Sequence, residues 1–301
     1  MTIPLLIDTD PGIDDALALL LAWGSPEARV EVVTTVAGNV PVDVGTANVR
    51  RLIALRRPEP PPLLAVGAAQ PLGRSLTTAT RYHGEDGLGD LDDWPPLDQE
   101  TFPDAVETIV ATARRLSGGM TLVALGPLTN LALALAEDLA ALNGVGRIVA
   151  MGGAVDVPGN VTPTAEFNMH VDPEAASRVL AAGLRVDFVP LDATHQAVLA
   201  REELEQALAR RPGPLATRVA AFSRRAFRLD GDSMFLHDPL AVAVALDPTL
   251  VQWEATRLEV RPDGATRRTA GPANCRVAVG VDGKRFLSTF LDRLCPASRV
   301  F

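Results

Sequence analysis

Through the first two-thirds of the chain, short β-branched runs alternate with longer amphipathic ones, and that alternation leaves few folds open. A strand that is followed by a helix returns to the next strand in the same direction, so the sheet it builds is mainly parallel. Residues 4–8, 31–36, 63–66, 121–125, 147–151 and 185–189 read as strands, each followed by a polar or Gly-rich turn. Helical patterns fall at 14–23, 44–56, 105–116, 129–136 and 173–182. After Arg201 the chain turns mostly helical to about Leu246, and the tail 251–281 reads as strands. Four prolines between 58 and 62 make a stiff connector, because proline fixes φ and cannot continue a helix. The expectation is an α/β fold: an open, mainly parallel sheet flanked by helices, with a mostly helical C-terminal third and a short strand-containing tail. Open sheets of this kind absorb 301 residues as one unit, so residues 1–301 are expected to form a single catalytic domain.

Composition narrows the function classes. With 28 Lys plus Arg against 37 Asp plus Glu, the formal charge of −9 argues against a nucleic-acid or anionic-membrane surface. The chain is 47% hydrophobic and 22% charged, which suits a soluble protein with a large core. Cys275 and Cys295 form neither a CxxC pair nor a disulfide framework, and read as ordinary buried thiols. No basic leader precedes the first strand and no apolar run approaches the ~20 residues of a membrane span, so a cytoplasmic location is expected.

The informative segment is LLIDTDPGIDDALAL, where Asp8, Asp10, Asp14 and Asp15 crowd together with no Lys or Arg before Arg29. A strand in a parallel sheet is buried on both faces, and its C-terminal end delivers such residues into the crevice where these folds bind ligands. Pro11-Gly12 makes the turn, and Asp14 and Asp15 enter the first turn of a helix, whose dipole favours an anion by roughly 0.3–1 kcal/mol. Two like charges about 4 Å apart repel by roughly 4 kcal/mol at an effective dielectric of 20, so the dipole cannot hold them ionised. They need a cation or must take up protons. An all-oxygen donor set suits Ca²⁺ or Mg²⁺, and flexible carboxylates with backbone carbonyls lean towards Ca²⁺. Neighbouring helical side chains point about 100° apart, so Asp14 and Asp15 are expected to do different jobs.

Further polar residues follow the later strands: Gly38-Asn39, Gly126-Pro127, Gly152-Gly153 and Thr194-His195-Gln196. All should converge on one edge of the sheet. The turn-rich GNVTPTAEFN at 159–168 offers Asn160, Glu166 and Asn168 to a hydroxyl-rich ligand, although a structural loop would read the same way. His237-Asp238-Pro239 opens a helical run in which Asp238 suits an N-cap as well as a metal ligand.

In their order and spacing, DTDPGIDDA at 8–16, ALGPLTNLALAL at 124–135, MGGAV at 151–155, EFN with VDPEAA at 166–176, ATHQ at 193–196 and HDPLAVA at 237–243 resemble the nucleoside hydrolase family of N-ribohydrolases. The likeness runs from the N-terminus to about Ala245. It implies Ca²⁺-dependent hydrolysis of the N-glycosidic bond of a ribonucleoside, by a homodimer or homotetramer. It implies a Ca²⁺ held by Asp10, Asp15, the Leu125 carbonyl and Asp238, with Asp8 supporting the site from behind. Asp14 matches the general base, which takes a proton from an ion-held water as it attacks the anomeric carbon. Asn39, Met151, Asn160, Glu166, Phe167 and Asn168 match the ribose side. On the base side, His237 matches the proton donor to the leaving base in inosine/uridine- and pyrimidine-type members, and His83 matches a second base-site histidine. A purine-specific branch carries tryptophan at those places.

The chemistry suits these residue types. Departure of the base leaves an oxocarbenium-like sugar, which carboxylates stabilise. His170 is expected to be a hydrogen-bonded core residue. One departure stands out: the family's helix before HDP often carries tyrosines, whereas residues 215–229 read LATRVAAFSRRAFRL, with Arg224, Arg225 and Arg228 expected on a solvated face. Residues 84–89 and 230–236 are expected to be mobile covers. Two other classes compete. A haloacid dehalogenase-type phosphatase would use Asp8 as nucleophile and Asp10 as acid/base, but needs a downstream lysine, and Lys284, the sole lysine, lies near the C-terminus. A non-catalytic nucleoside sensor could dispense with Asp14 or His237, and both are present.

Overall fold

The computed structural model describes residues 2–294. Twelve strands are present among them: β1 Ile3–Thr9, β2 Ala28–Thr35, β3 Leu63–Val66, β4 Thr121–Ala124, β5 Arg147–Met151, β6 Val186–Val189, β7 Val198–Ala200, β8 Ser233–Phe235, β9 Val251–Thr256, β10 Leu258–Val260, β11 Thr266–Arg268 and β12 Cys275–Val281. Eight of them form one sheet in the order β3-β2-β1-β4-β5-β6-β12-β9. All neighbours in it run parallel except β12 and β9, so the antiparallel pair at one edge comes from the tail.

The order reverses beside β1, because the chain moves first to β2 and β3 on one side and then to β4 on the other. That switch point opens a crevice at the C-terminal ends of β1 and β4. In register, Asp8 sits between Thr34 of β2 and Ala124 of β4, so Thr9 and Asp10 emerge at the mouth of the crevice.

Alternation along β1 divides the core. Leu5 and Ile7 pack on one face with the helices Ile13–Gly24, Pro214–Asp230 and His237–Leu246, and Leu6 packs on the other with Ala105–Arg115, Thr129–Asn143 and Pro173–Ala181. The helix Ile13–Gly24 is apolar nearly all round after its acidic first turn; Leu17, Leu19, Leu20 and Leu21 are fully buried, each contributing about 1.5–3 kcal/mol. That packing fixes the helix end from which Asp14 and Asp15 project.

Three features differ from the sequence expectation. The helix from Thr129 continues to Asn143, broken at Asp138, whose non-helical backbone lets Oδ1 accept from the Ala141 N–H and restart the helix. A further helix, Gly283–Leu294, follows the tail and buries Phe286, Phe290 and Leu294. The small pair β7–β8 was not legible, and it places Phe235 beside His195 and His237. Cys275 is a free, buried thiol as expected, whereas Cys295 lies outside the described residues.

Candidate active site

Asp8 ends up fully buried, with Oδ1 accepting from the Thr34 hydroxyl and from Asn130 Nδ2. Burial raises its carboxyl to about 6. It braces the strand end and presents no open face to a substrate. Asp10 follows at the crevice, with Oδ2 accepting from the Asn39 N–H at 2.7 Å. The tight approach explains two glycines: a Cβ at Gly38 would fall 2.0 Å from Asp10 Oδ2, and one at Gly126 would fall 2.6 Å from Oδ1.

Asp14 and Asp15 occupy the helix start behind Gly12. Asp15 accepts three hydrogen bonds: from the Thr9 hydroxyl on Oδ1, and from the Gly12 N–H at 2.9 Å and Asn39 Nδ2 at 3.0 Å on Oδ2. Asp14 Oδ1 is buried without a hydrogen-bond partner, as is Asp10 Oδ1. Asp238 lies in the first turn of its helix, with Leu236 rather than Asp238 at the N-cap, so the capping alternative fails.

Carboxylate oxygens of Asp14, Asp15 and Asp238 lie within 4.8 Å of one another. The helical azimuth therefore does not separate Asp14 from Asp15 in space; their hydrogen bonding does. Burial first, then the Asp15 charge, pushes Asp14 up to about 7, and burial with like charges holds Asp10 and Asp238 well above the ordinary carboxylate range. Among the described residues no Lys or Arg pairs with any of these four acids; the nearest basic side chain is His83, with Nδ1 4.0 Å from Asp14 Oδ1. Buried acceptors, two of them orphaned, without a basic partner suit a bound cation of the hard, oxygen-ligated kind.

Asn168 lies next to the β4 end, where its Nδ2 donates to the Leu125 carbonyl at 2.6 Å and to the Met151 carbonyl at 3.2 Å. Glu166 caps the short helix Phe167–Val171, accepting from the Asn168 and Met169 N–H groups, and holds the Gly152-Gly153 turn through the Gly153 N–H at 2.9 Å. Burial raises its carboxyl against those bonds. Asn160 is not part of the buried group: it is exposed, with Oδ1 accepting from the N–H of half-buried Phe167 at 3.0 Å.

On the other side, His83 Nδ1 accepts from the Ile13 N–H at 3.0 Å, and burial lowers the ring to about 4. It is a neutral imidazole with its proton on Nε2. His237 Nδ1 lies 2.7 Å from the Thr194 hydroxyl, and burial, with His195 and His83 nearby, lowers it to about 3. His195 completes this histidine group, 5.9 Å from His237 between ring centres. Its place after β6 was legible in the sequence, its pairing with His237 was not.

Two expectations need correction. His170 is half-buried and its Nδ1 has no hydrogen-bond partner, so it is not a satisfied core histidine. The stretch 84–89, expected to be a mobile cover, is pinned: the Asp86 carboxylate accepts from the N–H groups of Leu88, Asp90 and Leu91, and Asn48 Nδ2 ties the Asp86 and Pro11 carbonyls together. On the other expected cover, Asp230 accepts from the Tyr82 hydroxyl. Arg224 and Arg228 are exposed as expected, whereas Arg225 is half-buried.

A parallel sheet with buried acids at its switch point defines an α/β enzyme with its ligand crevice at the C-terminal strand ends. Residues 5–288 match the model of the inosine-uridine preferring nucleoside hydrolase family, and the chain belongs to that family. It is 38% identical over 315 residues to a pyrimidine-specific ribonucleoside hydrolase RihA of Salmonella schwarzengrund, covering 98% of this chain and 99% of that protein. Among solved structures it resembles a plant nucleoside hydrolase, with a TM-score of 0.91 at 33% identity, covering 98% of this chain and 100% of that one. A purine-preferring ribonucleoside hydrolase from Gardnerella vaginalis superposes with a TM-score of 0.89 at 31% identity, covering 97% and 98%. The chain is an enzyme of the ribonucleoside hydrolase class.

Proposed function

We propose that the protein hydrolyses the N-glycosidic bond of ribonucleosides with a Ca²⁺ held by Asp10, Asp15, Asp238 and the Leu125 carbonyl. The observation that carries this reading is the acid group itself, buried, unpaired with any base and retaining open oxygens on Asp10 and Asp14. When bound, the ion supplies positive charge that keeps the carboxylates ionised and polarises water and sugar hydroxyls.

The rest follows from the side chains. Asp15 is held by hydrogen bonds from Thr9, Gly12 and Asn39, whereas Asp14 Oδ1 has no partner. With its carboxylate ionised, that free oxygen accepts a proton from the attacking water, which makes Asp14 the general base. Asn39, Asn168 and Glu166 face the ribose, with Met151, Phe167 and Asn160 around them. Asn168 also steadies the Leu125 carbonyl. His83 and His237 bound the half of the site left for the base. In the tautomer in which Nδ1 accepts from the Thr194 hydroxyl, neutral His237 offers the leaving base a hydrogen bond from Nε2–H instead of transferring a proton to it.

The test is release of free base and ribose from uridine, cytidine, inosine and their 2′-deoxy analogues. The ribonucleosides should far outperform the deoxy forms, because a site that hydrogen-bonds a hydroxyl rejects the analogue that lacks it. Asp14→Asn should lower kcat by at least ~100-fold with little change in KM. Absence of base release from every ribonucleoside, or an unchanged kcat in Asp14→Asn, overturns the reading.

A further inference from the structure

The half-turn that carries His83, Thr80–His83, is four residues long and cannot satisfy its own carbonyls. The Thr80 carbonyl accepts from Gly84 N–H and the His83 carbonyl from Gly89 N–H, but those of Arg81 and Tyr82 receive nothing from the backbone that follows them. One side chain on another element meets this need. The Arg225 guanidinium, from the middle of Pro214–Asp230, donates to the Tyr82 carbonyl at 3.0 Å, the Arg81 carbonyl at 2.9 Å and the Thr80 carbonyl at 3.4 Å. Its remaining arm pairs with Asp90 Oδ2, while Asp90 Oδ1 accepts from the Glu85 N–H at 2.6 Å. A single cation thus caps the C-terminal end of the turn, where the backbone dipole favours positive charge, and closes the loop that leaves it.

The turn sets where the His83 backbone stands, and the helix start opposite sets where its ring stands. The ring lies flat against the helix start of Ile13–Gly24: a Cβ at Gly12 would fall 2.5 Å from Nδ1, and the Ile13 N–H donates to that same atom. Such a fit leaves His83 no slack, so the backbone that presents it must be held from the other side. The helix Pro214–Asp230 carries no tyrosine, and Tyr82, on the turn, reaches back to Asp230. Among the described residues, the hydrogen bonds between the two segments are those of Arg225 to the turn and of Tyr82 to the helix end.

We propose that Arg225 is a positioning residue for the nucleobase half of the site, setting the place of His83 by gripping the carbonyls of residues 80–82. This rests on the reading of His83 as a base-site residue. Lysine cannot replace it fully, because an ammonium offers a point charge where three carbonyls and a carboxylate need a planar fork.

The experiment is a double-mutant cycle on the metal-loaded enzyme, with Arg225→Ala, His83→Ala and the pair, followed as kcat/KM on whichever ribonucleoside the wild type hydrolyses fastest. Arg225→Ala should lose on the order of tenfold or more. The double variant should lose no more than His83→Ala alone, since a residue that acts through His83 has nothing left to position. Arg225→Lys should recover part of the loss. Losses that multiply in the double variant, or an unchanged kcat/KM in Arg225→Ala, overturn the proposal. Hydrogen exchange supplies a second reading that needs no substrate: Arg225→Ala should speed exchange across residues 80–90 and leave 160–168 unchanged, and unchanged exchange at 80–90 overturns the grip itself. If Arg225→Ala fails to fold, Arg225→Gln, which keeps two donors, takes its place in both arms. A wild type without activity on any ribonucleoside, together with faster exchange at 80–90 in the variant, refutes the function and retains the grip.

Discussion

Asp187 on β6 and Asp15 at the start of the helix that follows β1 are both buried carboxylates, yet their surroundings are opposite. Asp187 lies near the N-terminal end of β6, where Arg147 Nε reaches it at 2.6 Å and Arg276 forks onto both oxygens at 2.7 and 2.6 Å. Both guanidiniums also lie over the Trp253 ring, at 5.5 and 5.1 Å. Asp15 lies at the C-terminal edge among Asp10, Asp14 and Asp238, with neutral donors and no cation of its own. Asp187 carries its counter-charge with it, as a buried acid that holds a sheet together can. The group of Asp10, Asp14, Asp15 and Asp238 has none, which suits a bound cation.

The comparison breaks if the two sites respond alike to loss of charge. Asp238→Asn should lower activity by more than ~100-fold, since even residues behind metal ligands cost 10–100-fold when replaced. Asp187→Asn should leave kcat unchanged and cost about 3 kcal/mol in stability, because two arginines lose their shared partner. Urea unfolding set beside steady-state rates separates the two outcomes. A large activity loss in Asp187→Asn, or an unaffected Asp238→Asn, would erase the distinction.

A smaller effect concerns pH. In metal-free protein Asp14 titrates near 7 and Asp8 near 6, against 3.8 in the unfolded chain, so the folded state holds protons that the unfolded state has already lost. Stability from this source is present at low pH and disappears as pH rises through about 7. Below about 6.5 the buried histidines oppose it, since His83 and His237 stay neutral in the fold while unfolded histidine takes up a proton. The thermal midpoint of chelator-treated protein should therefore rise by about 2–4 °C between pH 8 and 6.5. Calcium should flatten that slope, and an equal slope with and without calcium would count against the acids as its source.

The same contrast marks what the sequence makes legible. Strand positions and the acid motif could be read because their signals are local: β-branched runs, the Pro11-Gly12 turn, and four aspartates before the first arginine. The strands at 63–66 and 147–151 coincide with the structure to the residue. Pairing across the chain is silent. Asp187 stands 40 residues from Arg147 and 89 from Arg276, and Asp8 stands 122 from Asn130, so nothing near them says which acid will be neutralised. Arg225 reads as one of three arginines on a helix, and only its 143-residue reach to Tyr82 sets it apart. The helix Gly283–Leu294 had a visible signal in Phe286, Phe290 and Leu294, spaced four apart on one face.

The central claim is that the unpaired acids are a calcium site required for ribohydrolysis. It is tested most directly by titrating calcium into chelator-stripped protein, verified as metal-free by elemental analysis, while following free base released from uridine or inosine. The account predicts no release at the start and a saturable return of activity as calcium fills a single site per chain. Full activity in the verified metal-free protein would contradict it.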